Sequence, residues 1–251
     1  MHPSRLAIAL LLLLPGSLLA KAPAPAAHYI APDSVNLQAI LPGPPAPGTP
    51  ESKADLDGVL ARQESRTPMD IVRAKTEENL SPAAFADVLG RWFNAKRLPL
   101  TFALLQNAAS DAETISNAGK TLWNRPRPPL QDHDIHPVLT VPTSPSYPSG
   151  HAMRGALWSI ILAKLAPEEG DRILARGAQI GEDRIIAGVH FPSDVAAGQK
   201  LGSTLAVRFL ANPAFQRDLA RAQAEFVYAL HRYSDTGGVP VARFAALTDG
   251  V

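Results

Sequence analysis

Three short stretches of this chain hold residue types that could do chemistry together. The first is KTLWNRPRP, where Lys120 and Arg127 stand seven residues apart and a proline follows the arginine. Seven residues make two helical turns, so an unbroken helix would put both cations on one face. Pro126 and Pro128 favour a helix that ends first, with Arg127 reaching back from a turn. The second is PSGH, in which Ser149 and Gly150 lead into an apolar run behind His151. A helix N-terminus offers unpaired N–H groups and partial positive charge to an anion, and glycine lets that backbone come close. The third is DRIIAGVHFPSD, with Arg184, His190 six residues on, and Asp194 four beyond it. A carboxylate that takes the Nδ1–H of a histidine fixes its tautomer and leaves Nε2 free as acceptor or nucleophile.

Each stretch has an ordinary reading when taken singly: a basic helix end, an N-cap serine, a half-buried histidine near a helix start. Together they supply three permanent cations, a helix-end anion nest and two histidines with different neighbours. That inventory suits a phosphate dianion, whose oxygens arginine binds bidentately while lysine adds a point charge. No carboxylate cluster for a divalent metal accompanies it, which points to metal-free phosphoryl transfer. Asp132, His133, Asp134 and His136 in QDHDIHP are ligand types, but they lack a fixed metal spacing and read as a solvated loop at the site entrance.

The elements that must position these residues read as helices. SPAAFADVLGRW predicts a helix capped by Ser81 with Pro82 at its first position and Phe85, Val88, Leu89 and Trp92 on one face. A second runs from near Pro99 towards Lys120, and residues 131–148 form a proline-rich loop. Four more are expected: one opening at His151, one over 167–187, one capped by Ser193 and running through Leu210, and one over 213–231. Sustained alternation of period two is missing, so the expected fold is all-α: a single-domain helical bundle behind an extended, proline-rich N-terminal arm.

Residues 1–20 carry Arg5, an apolar stretch from Leu6 to Leu14 and then small residues. They read as a secretory signal peptide cleaved somewhere in 20–27, which places the mature protein in the periplasm or outside the cell. The apolar run is too short to span a bilayer, and no later segment is long enough, so no membrane span is expected in the mature chain. Ten of the 24 prolines fall in the first 50 residues, and residues 28–50 are taken as the arm. The helical domain would cover 51–235 and a tail 236–251. With 24 basic against 23 acidic side chains, nothing argues for a nucleic-acid partner. The absence of cysteine excludes disulfides. The oligomeric state stays open, a homo-oligomer included.

In order, Lys-x6-Arg-Pro, Pro-Ser-Gly-His and Arg-x5-His-x3-Asp resemble the three-part signature of the type 2 phosphatidic acid phosphatase superfamily. Within it, YIAPDSVNLQAILPGPPAPG, PSYPSGH and GEDRIIAGVH are similar to the class A bacterial non-specific acid phosphatases, over most of residues 28–231. The resemblance implies that Lys120, Arg127 and Arg184 clamp the phosphoryl oxygens, with Ser149 and the Gly150 N–H adding hydrogen bonds. It implies His190 as the nucleophile, held by Asp194. His151 would protonate the leaving oxygen and then activate water. Phosphate monoesters (nucleotides, sugar or aryl phosphates) would be the substrates, with no cofactor and an acidic optimum. Two features depart from the family. Asp183 stands where its pattern has serine before the last arginine, and on a helix that side chain is expected to turn away from the site. Disulfides, frequent in the family, have no counterpart. Two other readings share the inventory: a vanadate-dependent haloperoxidase using the same oxoanion cradle, and a non-catalytic phosphate-binding protein. A lipid phosphatase would share the site but needs membrane spans.

Overall fold

Proline decides where most of the long helices begin. The structure, a computed structural model, describes residues 27–233. Five of its helices open on proline: α2 (Pro50–Ser65), α3 (Pro68–Thr76), α5 (Pro99–Trp123), α8 (Pro192–Ala211) and α9 (Pro213–Tyr233). At that position the missing N–H costs nothing and the fixed φ suits the helix. Caps add to this: Thr49 accepts from the Ser52 N–H, and Thr67 and Asp70 satisfy each other's backbone donors at the start of α3. The remaining helices are α1 (Leu37–Ile40), α4 (Ala86–Leu89), α6 (Gly150–Leu165) and α7 (Gly170–Ile186), and there is no strand among the described residues. The expected signal peptide and the whole of the expected tail, 236–251, lie outside the described residues.

Two expectations need correction. The helix expected over SPAAFADVLGRW is a 3-10 turn over Pro82–Phe85 followed by the single turn of α4, and the Ser81 side chain makes no cap. Gly90, at φ 95°, ends it, because that left-handed backbone does not continue a helix. Trp92 therefore reaches the core from beyond the helix, packing edge-on against Phe226. The cap of α8 is likewise not Ser193. Phe191 occupies the N-cap position, and Asp194, three residues on, accepts its N–H at 2.9 Å.

Helix α6 is the axis of the fold, packed between α7 and α8. Small residues allow that closeness. A Cβ on Gly155 of α6 would stand 2.5 Å from the carbonyl oxygen of Gly177 on α7, and one on Gly202 of α8 would collide with the Met153 carbonyl. Overfilling contacts of this kind costs about 1–3 kcal/mol. The main core lies along α5, α6, α8 and α9, with Leu105, Leu157, Phe209 and Phe226 buried and Trp158 donating to the Leu105 carbonyl at 2.8 Å. A second cluster of Val59, Ile135, Ala152, Ile185, Phe191 and Val195 joins α2, the 131–148 loop, α6, α7 and α8. It fixes the ends of these elements relative to one another. Residues 28–30 are tied to α5 by their N–H groups, all three of which donate to the Asp111 carboxylate, and Tyr29 packs edge-on against Phe215.

Candidate active site

Helix α5 ends at Trp123 because Asn124 turns left-handed at φ 42°, a conformation asparagine tolerates. The chain then runs on as Arg125–Pro126–Arg127–Pro128, so Arg127 does reach back from a turn. Its guanidinium is buried and held by the Ser144 and Val189 carbonyls at 2.9 and 2.8 Å. Lys120, on the last turns of α5, donates to the Pro145 carbonyl at 2.7 Å. Both cations thereby brace the loop that leads into PSGH.

One cleft is lined by Lys120, Arg127, Gly150, His151, Arg184 and His190. The three stretches singled out in the sequence meet there. Ser149 and Asp194 do not form its wall. Ser149 is fully buried and its Oγ caps α6 by accepting from the Ala152 N–H, while Asp194 sits behind His190. The position of Gly150 is open: a Cβ added there would meet nothing within 4 Å. The start of α6 therefore faces the cleft with bare backbone, as an anion-binding helix end does.

Arg127 fixes the protonation of His190. Its Nη1 lies 3.2 Å from His190 Nε2, and a guanidinium can only donate, so Nε2 carries a lone pair. The proton then sits on Nδ1, which points between Ser146 Oγ at 3.3 Å and Asp194 Oδ2 at 3.4 Å. Burial, with Arg127 and Lys120 adding to it against Asp194, pushes the imidazole pKa down to about 3, so the ring is neutral over most of the pH range. Burial and then the charge of Arg127 bring Lys120 down to about 8. Burial takes Arg127 to about 10, opposed by Asp194. Three desolvated cations beside a neutral imidazole make a site that attracts an anion and keeps its nucleophilic nitrogen unprotonated.

Asp194 does more than face a histidine. Burial works to raise its pKa, but His190, Arg125 and Ser146 outweigh that and hold it below the usual carboxylate range. Arg125 donates to it at 2.6 Å and to Asp55 of α2 at 2.7 Å, with its guanidinium 3.9 Å above the Phe191 ring. Ser146 donates to the other oxygen of Asp194. The contact with His190 is the longest of the set, so the carboxylate is oriented chiefly by Arg125, Ser146 and the Phe191 N–H. Sequence reasoning passed over Arg125, Ser146 and Asp55. Only the arginine-rich run NRPRP hinted at the first of them.

His151 is half-buried, and Nε2 lies 3.0 Å from the Glu77 carbonyl, to which it donates. The nitrogen left to exchange a proton in the cleft is therefore Nδ1, which Arg154 Nη2 approaches to 3.5 Å. Burial, then the charges of Arg184 and Arg154, hold it well below the ordinary imidazole value. Arg184, nearly fully buried, donates to the Ala74 carbonyl at 2.7 Å and lies 3.6 Å from Glu77. Asp183, its neighbour, is not on the cleft wall. It turns away as expected, though into protein rather than solvent, and takes a bidentate pair of bonds from Arg73 of α3 at 2.8 and 2.7 Å. Among the described residues no group of three His, Cys, Asp or Glu side chains is placed to hold a metal. In the QDHDIHP loop, Asp132 accepts from the Asp134 N–H and the His136 N–H donates to Gln63. No helix among the described residues is long and apolar enough to cross a membrane.

Comparison with known proteins shows the family. Residues 98–217 match the family model of the PAP2 superfamily. The chain is 31% identical over 202 residues to a non-specific acid phosphatase of Salmonella typhimurium, covering 77% of this chain and 81% of that protein. It is 30% identical to one of Providencia stuartii, covering 77% and 82%. Among solved structures, a transmembrane PAP2-type phosphatidylglycerolphosphate phosphatase from Bacillus subtilis superposes with a TM-score of 0.50 at 23% identity, over 68% of this chain and 87% of that one. A bacterial vanadium-dependent iodoperoxidase does so with 0.52 at 18%, over 66% and 50%. These two likenesses are of fold.

Proposed function

This chain belongs to the PAP2 superfamily, among the non-specific acid phosphatases, and is a phosphoric monoester hydrolase; from that premise we propose that it works through a phosphohistidine and without a metal ion. The observation that carries the mechanism is the hydrogen bond from Arg127 to His190 Nε2 at the wall of the cation-lined cleft. It shows that Nε2 keeps its lone pair at the cleft wall, where a phosphoryl group held by Lys120, Arg127, Arg184 and the start of α6 would take over the Arg127 N–H and free that lone pair for attack.

In the first step Nε2 forms a bond to phosphorus while the ester P–O bond breaks. The leaving oxygen takes its proton from His151, and Asp194 and Ser146 receive the Nδ1–H of the developing imidazolium. In the second step His151 removes a proton from water, whose oxygen attacks the phosphohistidine and restores His190. Most of the acceleration comes from charges fixed in place before the reaction, with general acid catalysis adding about 10²- to 10⁴-fold. The acidic optimum follows from His151. In the free protein its pKa is depressed by burial and two arginines, and a bound dianion raises it, so the productive protonated form is reached at acidic pH. We place the activity in the periplasm or outside the cell, on the signal-like residues 1–20.

The decisive experiment is rapid-quench labelling with a ³²P-labelled monoester, with and without EDTA. Label should be trapped on the wild-type protein in both conditions and be lost in His190→Ala. Label that persists in His190→Ala would reject the nucleophile. Activity lost in EDTA and restored by magnesium or zinc would reject the metal-free mechanism. The same preparation, fractionated from intact cells and sequenced from its N-terminus, tests the location: a start within residues 20–28 in the periplasm or medium is expected.

A further inference from the structure

Phosphoryl binding uses three of the cations in the cleft. A fourth, Arg154, also lines it and enters the scheme above only through its charge on His151, with no contact assigned to the substrate. It lies three residues after His151 on α6, so the two side chains share a face of the helix, and its Nη2 is 3.5 Å from His151 Nδ1. Nε2 of that histidine is committed to the Glu77 carbonyl, so Nδ1 is the nitrogen left to protonate a leaving group. Arg154 therefore stands beside the nitrogen that would protonate the leaving oxygen, whereas Arg127 contacts the nucleophilic His190.

Its bonding is incomplete. The Nε–H is buried and has no hydrogen-bond partner among the described residues, and Arg154 is in no ion pair with a carboxylate there. Glu113, the acidic group whose charge reaches it most strongly, is exposed at the rim of the cleft. A largely desolvated guanidinium with no carboxylate partner carries a cost that an anion bound at its cleft-side Nη atoms offsets. It also opposes protonation of Nδ1, since two cations would face each other at that distance, unless an anion lies between them.

We propose that Arg154 forms a second anion subsite, so that the cleft favours substrates whose leaving group itself carries a phosphate, as in inorganic pyrophosphate or a nucleoside diphosphate. The inference rests on the phosphatase reading, since it assumes that the first phosphate lies against His190. The distal phosphate would accept from Arg154, and the bridging oxygen would take its proton from His151.

The test compares kcat/KM for pyrophosphate and for p-nitrophenyl phosphate in the wild type, Arg154→Gln and Arg154→Lys. The pyrophosphate-to-aryl ratio should fall about tenfold or more in Arg154→Gln, the scale of a lost charge-assisted contact, and recover in part in Arg154→Lys. An unchanged ratio would overturn the proposal. Equal losses on both substrates would also overturn it, by assigning Arg154 to the shared phosphoryl group or to His151 alone. Binding to the wild-type protein gives an independent reading by calorimetry with non-hydrolysable probes. Methylenediphosphonate should bind about tenfold more tightly than methylphosphonate, and equal affinities would sink the subsite even if the variants failed to fold. Failure of the wild type to turn over any ester, with the diphosphonate still preferred, would reject the phosphatase reading and keep the subsite.

Discussion

Replacing Asp183 by serine separates a structural role from a catalytic one. The carboxylate is fully buried and takes two bonds from Arg73, while Arg73 is about a quarter exposed and keeps a second partner, Asp70, at 2.7 Å. Breaking a fully buried ion pair costs about 3–5 kcal/mol. Here the stranded arginine retains water and Asp70, so the loss should be nearer 2–3 kcal/mol, about the worth of its charged hydrogen bonds. For a domain of this size that lowers Tm by about 4–12 °C. Because Asp183 faces α3 and not the cleft, KM for an aryl phosphate should change less than about threefold. Calorimetry and steady-state kinetics on one preparation read both quantities. Unchanged stability together with a KM improved tenfold or more would show that the carboxylate repels substrate, and the placement of this side chain would be wrong.

Arg125→Met should be the more damaging change, because it strands two buried carboxylates, Asp55 and Asp194, at a cost of about 3–5 kcal/mol in denaturant titration. Adding Asp55→Asn should recover part of that loss. Lys120 sets a pH signature for anion binding. Its pKa is near 8 when the site is free, and a bound dianion raises it, so the inhibition constant for inorganic phosphate should be flat just below pH 8. Above it the constant should climb by up to about tenfold per pH unit, and Lys120→Met should remove the bend. The same lysine affects stability with a defined sign. Its folded value lies below the unfolded 10.5, so the folded state sheds its proton first and the contribution of Lys120 improves between pH 8 and 10.5. His190 behaves in the opposite pH range. Folding holds it neutral down to about 3, so its contribution is lost as pH falls from about 6.5, and His190→Gln should flatten that part of the Tm profile.

Much of this protein is written in local signals. Prolines at 50, 68, 99, 192 and 213 open helices whatever surrounds them, because the ring fixes φ and removes an N–H that has no partner there. The all-helical class, the turn before Arg127 and the open backbone at Gly150 follow from residue type and spacing. The chemistry suggested by Lys120, Arg127, His151, Arg184 and His190 was equally legible, since side-chain charge and donor capacity do not depend on fold. Where a local signal gave the wrong element, as at Ser81, a nearby glycine with a left-handed backbone was the stronger one.

Tertiary structure decided how charges were shared. Arg125 and Arg127 lie two residues apart in the same run, yet one braces Asp194 against Asp55 and the other enters the cleft. Those carboxylates come from positions 70 residues upstream and 69 downstream of Arg125, so no local pattern distinguishes the two arginines. Asp183 could be placed off the site by helical geometry, but its partner Arg73 lies on another helix. Arg154 read as one more residue of an apolar helix, and only the convergence of α5, α6 and α7 put it on the cleft wall. Helical periodicity tells which face a side chain takes. What that face meets is set by the packing of distant elements, and for a charge the partner determines both its cost and its use.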